Sequence, residues 1–306
     1  MFIKHLFQLS NIRNSVFLKF FFLLLAITPV SSAFAGVSVT DDFGNKVVLK
    51  APAKRIVALY GAFNEILFAM DLGDRIVART SGDNYPEQII KLPSIGTHMR
   101  PNPELIVAFN PDLVLQMAGR SQAESALEPL KARGTPTAMF TVTSFKDIYA
   151  LIDKIGILTG EPERADKLVH SMVSRLDKVN ERFRTVKDKP RVFFEIRYPN
   201  LLAAGQGSIV SDIIEKAGGV NCVKNPKKIV RMGEEEVFRL DPENYVYQTG
   251  RMNQSPVVPA DRDHFKMIKA VRLGKVLKVD ESVFSRPGPR NVDAVETLAD
   301  FLYSKN

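Results

Sequence analysis

Apolar residues fall in short runs separated by helical periodicities, and this alternation repeats along most of the chain. Residues 37–40 and 46–49 alternate apolar and polar around Asp42-Phe43-Gly44-Asn45, which predicts an opening β-hairpin. The run 55–60 (RIVALY) predicts a strand, and residues 62–70 a helix. Strands follow at 75–79, 112–116 and 136–140, with helices at 102–109 and 121–133. Strands alternating with helices imply parallel sheets with crossover connections. Residues 144–158 and 161–186 then read as two consecutive helices. The second carries Leu168, Met172, Leu176, Val179 and Phe183 on one stripe. Its 26 residues would extend about 39 Å. After Lys189-Pro190 the alternation restarts, with strands at 191–196, 244–247 and 275–279 and helices at 208–216, 233–240 and 291–304. The pattern predicts two α/β lobes, residues 36–158 and 189–306, joined by a long helix across 159–188.

A spaced repeat supports two related halves. Arg100, Glu104, Pro111, Gly119 and Arg120 correspond to Arg231, Glu235, Pro242, Gly250 and Arg251, each pair 131 residues apart. In both copies a charged entry leads into a short helix, a proline turn, an apolar strand and Gly-Arg. Asn102 is a good N-cap with Pro103 at the first helical position; Gly233 takes the cap place in the second copy. The first-turn carboxylates Glu104 and Glu234 to Glu236 also complement the helix dipole. Arg120 and Arg251 follow the carboxyl ends of their strands, and Arg197 follows the strand at 191–196. That edge is where open parallel sheets bind ligands.

The first 35 residues change the picture of location. Lys4, Arg13 and Lys19 precede or flank the apolar run 20–27, and Ala33-Phe34-Ala35 gives a small-x-small site. This predicts a signal peptide cleaved after Ala35 and a periplasmic mature protein. The apolar run is short for a spanning helix. Removing this segment lowers the formal charge from +8 to +5. With no dense Lys/Arg run, nucleic acid is not an expected partner. The single cysteine, Cys222, excludes an intramolecular disulfide, and four histidines offer little for a metal cluster.

Residues 55–60, Asn64-Glu65-Ile66, Asp74 to Val77, Ser94-Ile95-Gly96 and 102–115 resemble the first lobe of periplasmic proteins that bind ferric siderophores, haem or vitamin B12. Residues 207–221, 235–242 and 285–289 (SRPGP) resemble the second lobe. The resemblance covers nearly the whole mature chain. It implies two α/β lobes on one long helix, a ligand cleft between them and limited hinge motion. It also implies a monomer serving an ABC permease dimer with its ATPase subunits, and no catalysis. Glu104 and Glu235 match the surface glutamates that dock on permease arginines; Glu234 and Glu236 are neighbours that leave the assignment open. The expected ligand is a small-molecule metal chelate carrying iron or cobalt, with no cofactor of the protein's own. Arg100, Arg120, Arg197, Arg231, Arg251 and Arg286 flank cleft-side loops, and Tyr60, Tyr85 and Tyr198 lie on the same edges. Guanidinium forks suit anionic oxygens, so an anionic ferric chelate leads. Cobalamin or haem is the alternative, with Tyr60, Tyr198, His98 or Met99 as axial candidates for haem. The chain lacks tryptophan, which disfavours a broad corrin-stacking pocket.

Two other classes fit the sequence less well. A two-lobed glycosyltransferase-like enzyme lacks support, because no Gly-x-Gly-x-x-Gly follows the first strand. A sensor subunit would need the glutamates and no arginine-lined cleft. Binding of free Zn or Mn finds little in His98, His170 and His264.

Overall fold

The computed structural model describes residues 36–119 and 124–304. The predicted leader with its expected cleavage site, and Arg120, lie outside the described residues.

The chain opens with the expected hairpin, β1 (Val37–Thr40) against β2 (Lys46–Leu49). Asp41 shapes its turn by accepting from the Phe43 and Asn45 amides. The first lobe is built on β3 (Ile56–Ala58), β4 (Ile76–Ala78), β5 (Leu113–Met117) and β6 (Thr137–Phe140). They form an all-parallel sheet in the order β4-β3-β5-β6. Its helices are α1 (Gly61–Ala69), α2 (Pro103–Ala108), α3 (Glu128–Ala132) and α4 (Phe145–Thr159). The strands read as continuous apolar runs because both faces are covered. Ile56 and Ala58 join one core cluster, and Val57 joins the other.

α4 starts at a capping box between Ser144 and Asp147 and ends at Gly160, whose φ is 70°. The long helix α5 (Pro162–Glu181) follows at once. It has 20 residues and extends about 30 Å, shorter than the expected 26. Beyond Glu181 the chain turns, which brings Phe183 onto Tyr303 in a stacked pair 5.4 Å apart. The predicted stripe is the buried one: Met172, Leu176, Val179 and Phe183 are core residues, with Leu168 partly buried. α5 packs against α4 of the first lobe and against two helices of the second.

The second lobe contains β7 (Arg191–Arg197), β8 (Leu202–Ala204), β9 (Val220–Asn221), β10 (Ile229–Arg231), β11 (Asn244–Thr249) and β12 (Val276–Asp280). The order is β10-β8-β7-β11-β12, with β9 beside β7. β7, β11 and β12 are parallel, while β8 and β10 pair antiparallel at one edge; that antiparallel edge was not expected from the sequence. The helices are α6 (Ile209–Lys216), α7 (Glu234–Leu240), α8 (Lys269–Arg272), α9 (Glu281–Phe284) and α10 (Asn291–Tyr303). One hydrophobic cluster runs through both lobes by way of α5, so the lobes form one compact unit.

The 131-residue repeat is structural. α2, β5 and Gly119 in the first lobe match α7, β11 and Gly250 in the second. Gly119 has φ 101°, which favours glycine. At Gly250 a Cβ would lie 2.4 Å from the Glu281 Cβ, so the chain can pass there only without a side chain.

Candidate functional site

The carboxyl ends of the parallel strands of both sheets face a cavity of about 220 Å³ between the lobes. The first lobe contributes Tyr60 and Gly61 after β3, Thr80, Gly82 and Asp83 after β4, and His98. The second contributes Ile196 on β7, Ser208 to Val210 at the start of α6, Lys228, Ile229, Arg251 and Met252 after β11, and Glu281, Ser282, Ser285 and Arg286 after β12. Tyr60 and His98 meet edge to face at 6.0 Å. Aliphatic side chains from Ile196, Ile209, Val210, Ile229 and Met252 complete much of the wall.

The polar floor is organised around Gly61. Asp83 Oδ1 and Arg286 Nη1 each come within 3 Å of where a Gly61 Cβ would stand, at 2.7 and 2.8 Å. Asp83 is buried; its Oδ2 accepts from the Thr80 amide at 2.7 Å and from Asn64 Nδ2 at 3.1 Å. Burial pushes its pKa up, against the opposing pull of the Thr80 bonds and of the Arg286 and Arg79 charges. Glu281 accepts from the Met252 amide at 2.7 Å, which ties the start of α9 to the end of β11.

Behind this floor the lobes are strapped together. Glu65 on α1 has a side chain only 4% exposed. It accepts from Arg290 Nε at 2.8 Å and Nη2 at 2.7 Å, and lies 3.4 Å from Arg286 Nη1. Arg290 also sits 4.2 Å from the Tyr85 ring centroid. A Cβ on Gly288 would be 3.0 Å from the Ala62 Cβ, so residues 285–290 lie tight on α1.

The expected ligand residues separate on this geometry. Tyr60, Arg251 and Arg286 line the cleft. Arg251 also reaches across it, donating from Nη2 to the Ser81 carbonyl at 3.3 Å. Tyr85 does not line it: its ring belongs to a separate cavity with Glu65, Arg175 and Arg290, because the contact with Arg290 turns it there. Arg100 is exposed and is not among the cleft-lining side chains. Arg197 is half-buried beside β8, and its buried Nε has no hydrogen-bond partner among the described residues. Tyr198 turns into the second lobe, where Arg262 stacks on it at 3.9 Å and its hydroxyl donates to Glu234. β7 ends at Arg197 and its pairing with β8 shifts register between Glu195 and Arg197, so both side chains leave at the turn and not toward the cleft.

Glu104 and Glu235 are exposed at the second positions of α2 and α7. Glu234 is bound to Tyr198, and Glu236 is 3.7 Å from Arg239. Among the described residues, Glu235 is therefore the one of the three carboxylates with no side-chain hydrogen bond or ion pair. The sequence reading missed Asp83, Glu281 and Arg290 and gave no role to Glu65. Glu65 lies within the stretch 64–66 and Arg290 borders 285–289, both of which carried the family resemblance, and that is the signal that pointed to them.

A family model described as periplasmic binding protein matches residues 56–283. The chain belongs to the periplasmic binding protein family. Like other periplasmic binding proteins it is a non-enzymatic, extracytoplasmic solute-binding component of an ABC transporter system. It is 31% identical over 272 residues to an uncharacterized ABC transporter substrate-binding lipoprotein of Bacillus subtilis, covering 87% of this chain and 85% of that one. A vitamin B12-binding protein of Photorhabdus laumondii is 27% identical, across 83% of this chain and 90% of its own. The crystal structure of the periplasmic vitamin B12-binding protein of Vibrio cholerae superposes with a TM-score of 0.70 at 25% identity, covering 82% of this chain and 97% of that one. Among the described residues, no helix of this binding protein is long and apolar enough to cross a membrane.

Proposed function

We propose that this protein captures a corrinoid of the cobalamin type between its lobes and hands it to the permease dimer of an ABC importer. The observation that carries this reading is the charge balance of the cleft. Among the described residues, Lys228, Arg251 and Arg286 face Asp83 and Glu281, and Glu65 stands directly behind Arg286. Arg290 holds Glu65 as well, so four cations stand against three carboxylates, an excess of one. A polyanionic ferric chelate, the ligand expected from arginine count alone, would meet those carboxylates as like charges. A large chelate with little net charge avoids that cost. Primary amides on its rim would find a donor in Arg286 and acceptors in Asp83, Glu281 and the Ser282 and Ser285 hydroxyl oxygens, whose own protons go to Asp280 and Gln248. A cavity of about 220 Å³ takes such a rim and leaves the rest of the macrocycle between the lobe edges. The vitamin B12-binding relatives, which align over most of the chain, support the same class.

The test is calorimetric titration with cyanocobalamin, cobinamide, haemin, ferric citrate and a ferric hydroxamate. Cyanocobalamin or cobinamide should bind tightest. Arg251 is exposed, so Arg251→Ala should weaken binding only about fivefold. Tightest binding of ferric citrate, with a loss well above tenfold in Arg251→Ala, would instead select the anionic chelate that Arg251 and Lys228 favour.

Glu104 and Glu235 are the proposed docking carboxylates, one on each lobe at repeat-equivalent places. Changing both to alanine should leave ligand affinity unaltered and impair uptake. Each exposed pair is worth about 0–1 kcal/mol, so single variants should lose uptake only in part. A double variant that loses affinity but delivers normally would contradict the assignment. The leader should be removed after Ala35, so N-terminal sequencing of the exported protein should begin at Gly36. Recovery of a chain retaining residues 1–35 would oppose this.

A further inference from the structure

The two helices that carry the proposed docking carboxylates are anchored by different means. Asn102 caps α2: its Oδ1 accepts from the Glu104 amide at 3.0 Å and the Leu105 amide at 3.1 Å. The repeat-equivalent residue at the start of α7 is Gly233, which offers no capping side chain. The buried Val237 holds the inner face of α7, but its first turn has lost the bonds that an Asn or Ser would supply.

Tyr198 stands where that anchor is missing. Its hydroxyl donates to Glu234 Oε1 at 2.9 Å, on the first residue of α7. The Tyr198 ring is itself fixed. The Arg262 guanidinium lies 3.9 Å from its centroid, and Phe265 meets it edge on at 5.7 Å. Arg262 is held in turn by two bonds to Glu195, a fully buried carboxylate on β7. A chain of contacts therefore runs from the second-lobe sheet to the helix start.

We propose that Tyr198 is the positioning residue of the second-lobe docking helix, holding Glu234 so that Glu235 is presented outward at a fixed place. This rests on the reading of Glu235 as a docking carboxylate. The bond gives the three adjacent glutamates separate tasks: Glu234 is tethered, Glu236 faces Arg239, and Glu235 stays exposed. Burial, reinforced by the Glu234 bond, raises the Tyr198 pKa, so the hydroxyl stays a donor at neutral pH. The first lobe obtains the same result with Asn102 and needs no distant residue.

Tyr198→Phe keeps the ring under Arg262 and removes only the tether. Amide hydrogen exchange in the ligand-free protein should quicken about fivefold across 234–240, the size expected for loss of a charge-assisted bond at a half-exposed site. Exchange across 103–108 should not change. Adding Gly233→Asn, which copies the Asn102 cap, should restore slow exchange in the Phe background. Gly233 has φ −86°, and the nearest obstacle to a side chain is the flexible end of Glu235. In spheroplasts lacking the native protein, Tyr198→Phe should reduce uptake of radiolabelled cyanocobalamin several-fold without changing its Kd for cyanocobalamin. Unchanged exchange at α7, or equal quickening throughout the second lobe, overturns the role of Tyr198. Normal delivery by Glu235→Ala overturns the docking reading instead, and the two failures are thereby told apart.

Discussion

Glu195→Ala should lower stability by about 3–5 kcal/mol, because it strands a buried guanidinium. The Arg262 and Glu195 side chains are 1% and 0% exposed. Removing the carboxylate takes away both of its bonds to Arg262 and the acceptor for the Tyr245 hydroxyl. The Val257 carbonyl still accepts from Arg262 but carries no full charge to offset it. For a chain of this size about 1 kcal/mol corresponds to roughly 2–4 °C, so the melting temperature should fall by about 6–20 °C in scanning calorimetry. A paired replacement of Glu195 and Arg262 by Gln and Met should recover much of the loss, since it removes both charges together. A single variant melting within about 2 °C of wild type would show that the pair is not the anchor described here.

Glu65→Ala should cost somewhat less, about 2–4 kcal/mol, and should loosen the lobes as well as the fold. Its partners keep contact with water: the Arg290 and Arg286 side chains are 16% and 19% exposed. Solvent therefore relieves part of the unpaired charge. The consequence for function is larger, because Glu65 belongs to one lobe and both arginines to the other. Spin labels at the exposed positions Lys91 and Lys224 should give a narrow distance distribution in wild type. The distribution should broaden in Glu65→Ala. Arg290→Ala should broaden it too, while Arg251→Ala should not. Identical distributions in all four proteins would mean that apolar packing across α5 alone sets the lobe geometry.

The two variants mark where sequence reading reaches its limit. The opening hairpin, the apolar strands of both sheets and the stripe of α5 follow from local periodicity, and local periodicity is written in neighbouring residues. The 131-residue repeat went further. It located α2 and α7, the glycine passages at 119 and 250, and Arg251 at the cleft, since duplicated topology carries its sheet edges with it. Arg286 and Tyr60 were legible for the same reason, as residues just beyond strand ends or in the loop before the final helix. The length of α5 was not, because Phe183 leaves the helix to meet Tyr303, 120 residues later in the chain.

Side-chain direction was decided by tertiary structure. Tyr198 and Arg197 stand at a predicted binding edge, yet Tyr198 is claimed by Arg262 and Glu234 and Arg197 lies against β8. Glu65 reads as one more polar position on an amphipathic helix. Its partners are 221 and 225 residues away, and no spacing rule links such positions. The sequence pointed to Arg251 and Arg286, but the carboxylates that share their cleft, Asp83 and Glu281, came only from the fold. Because electrostatic energy depends on distance and burial, the sequence alone determined a two-lobed binding protein with its cleft edge. Only the packing of the lobes decided that this cleft is near charge balance.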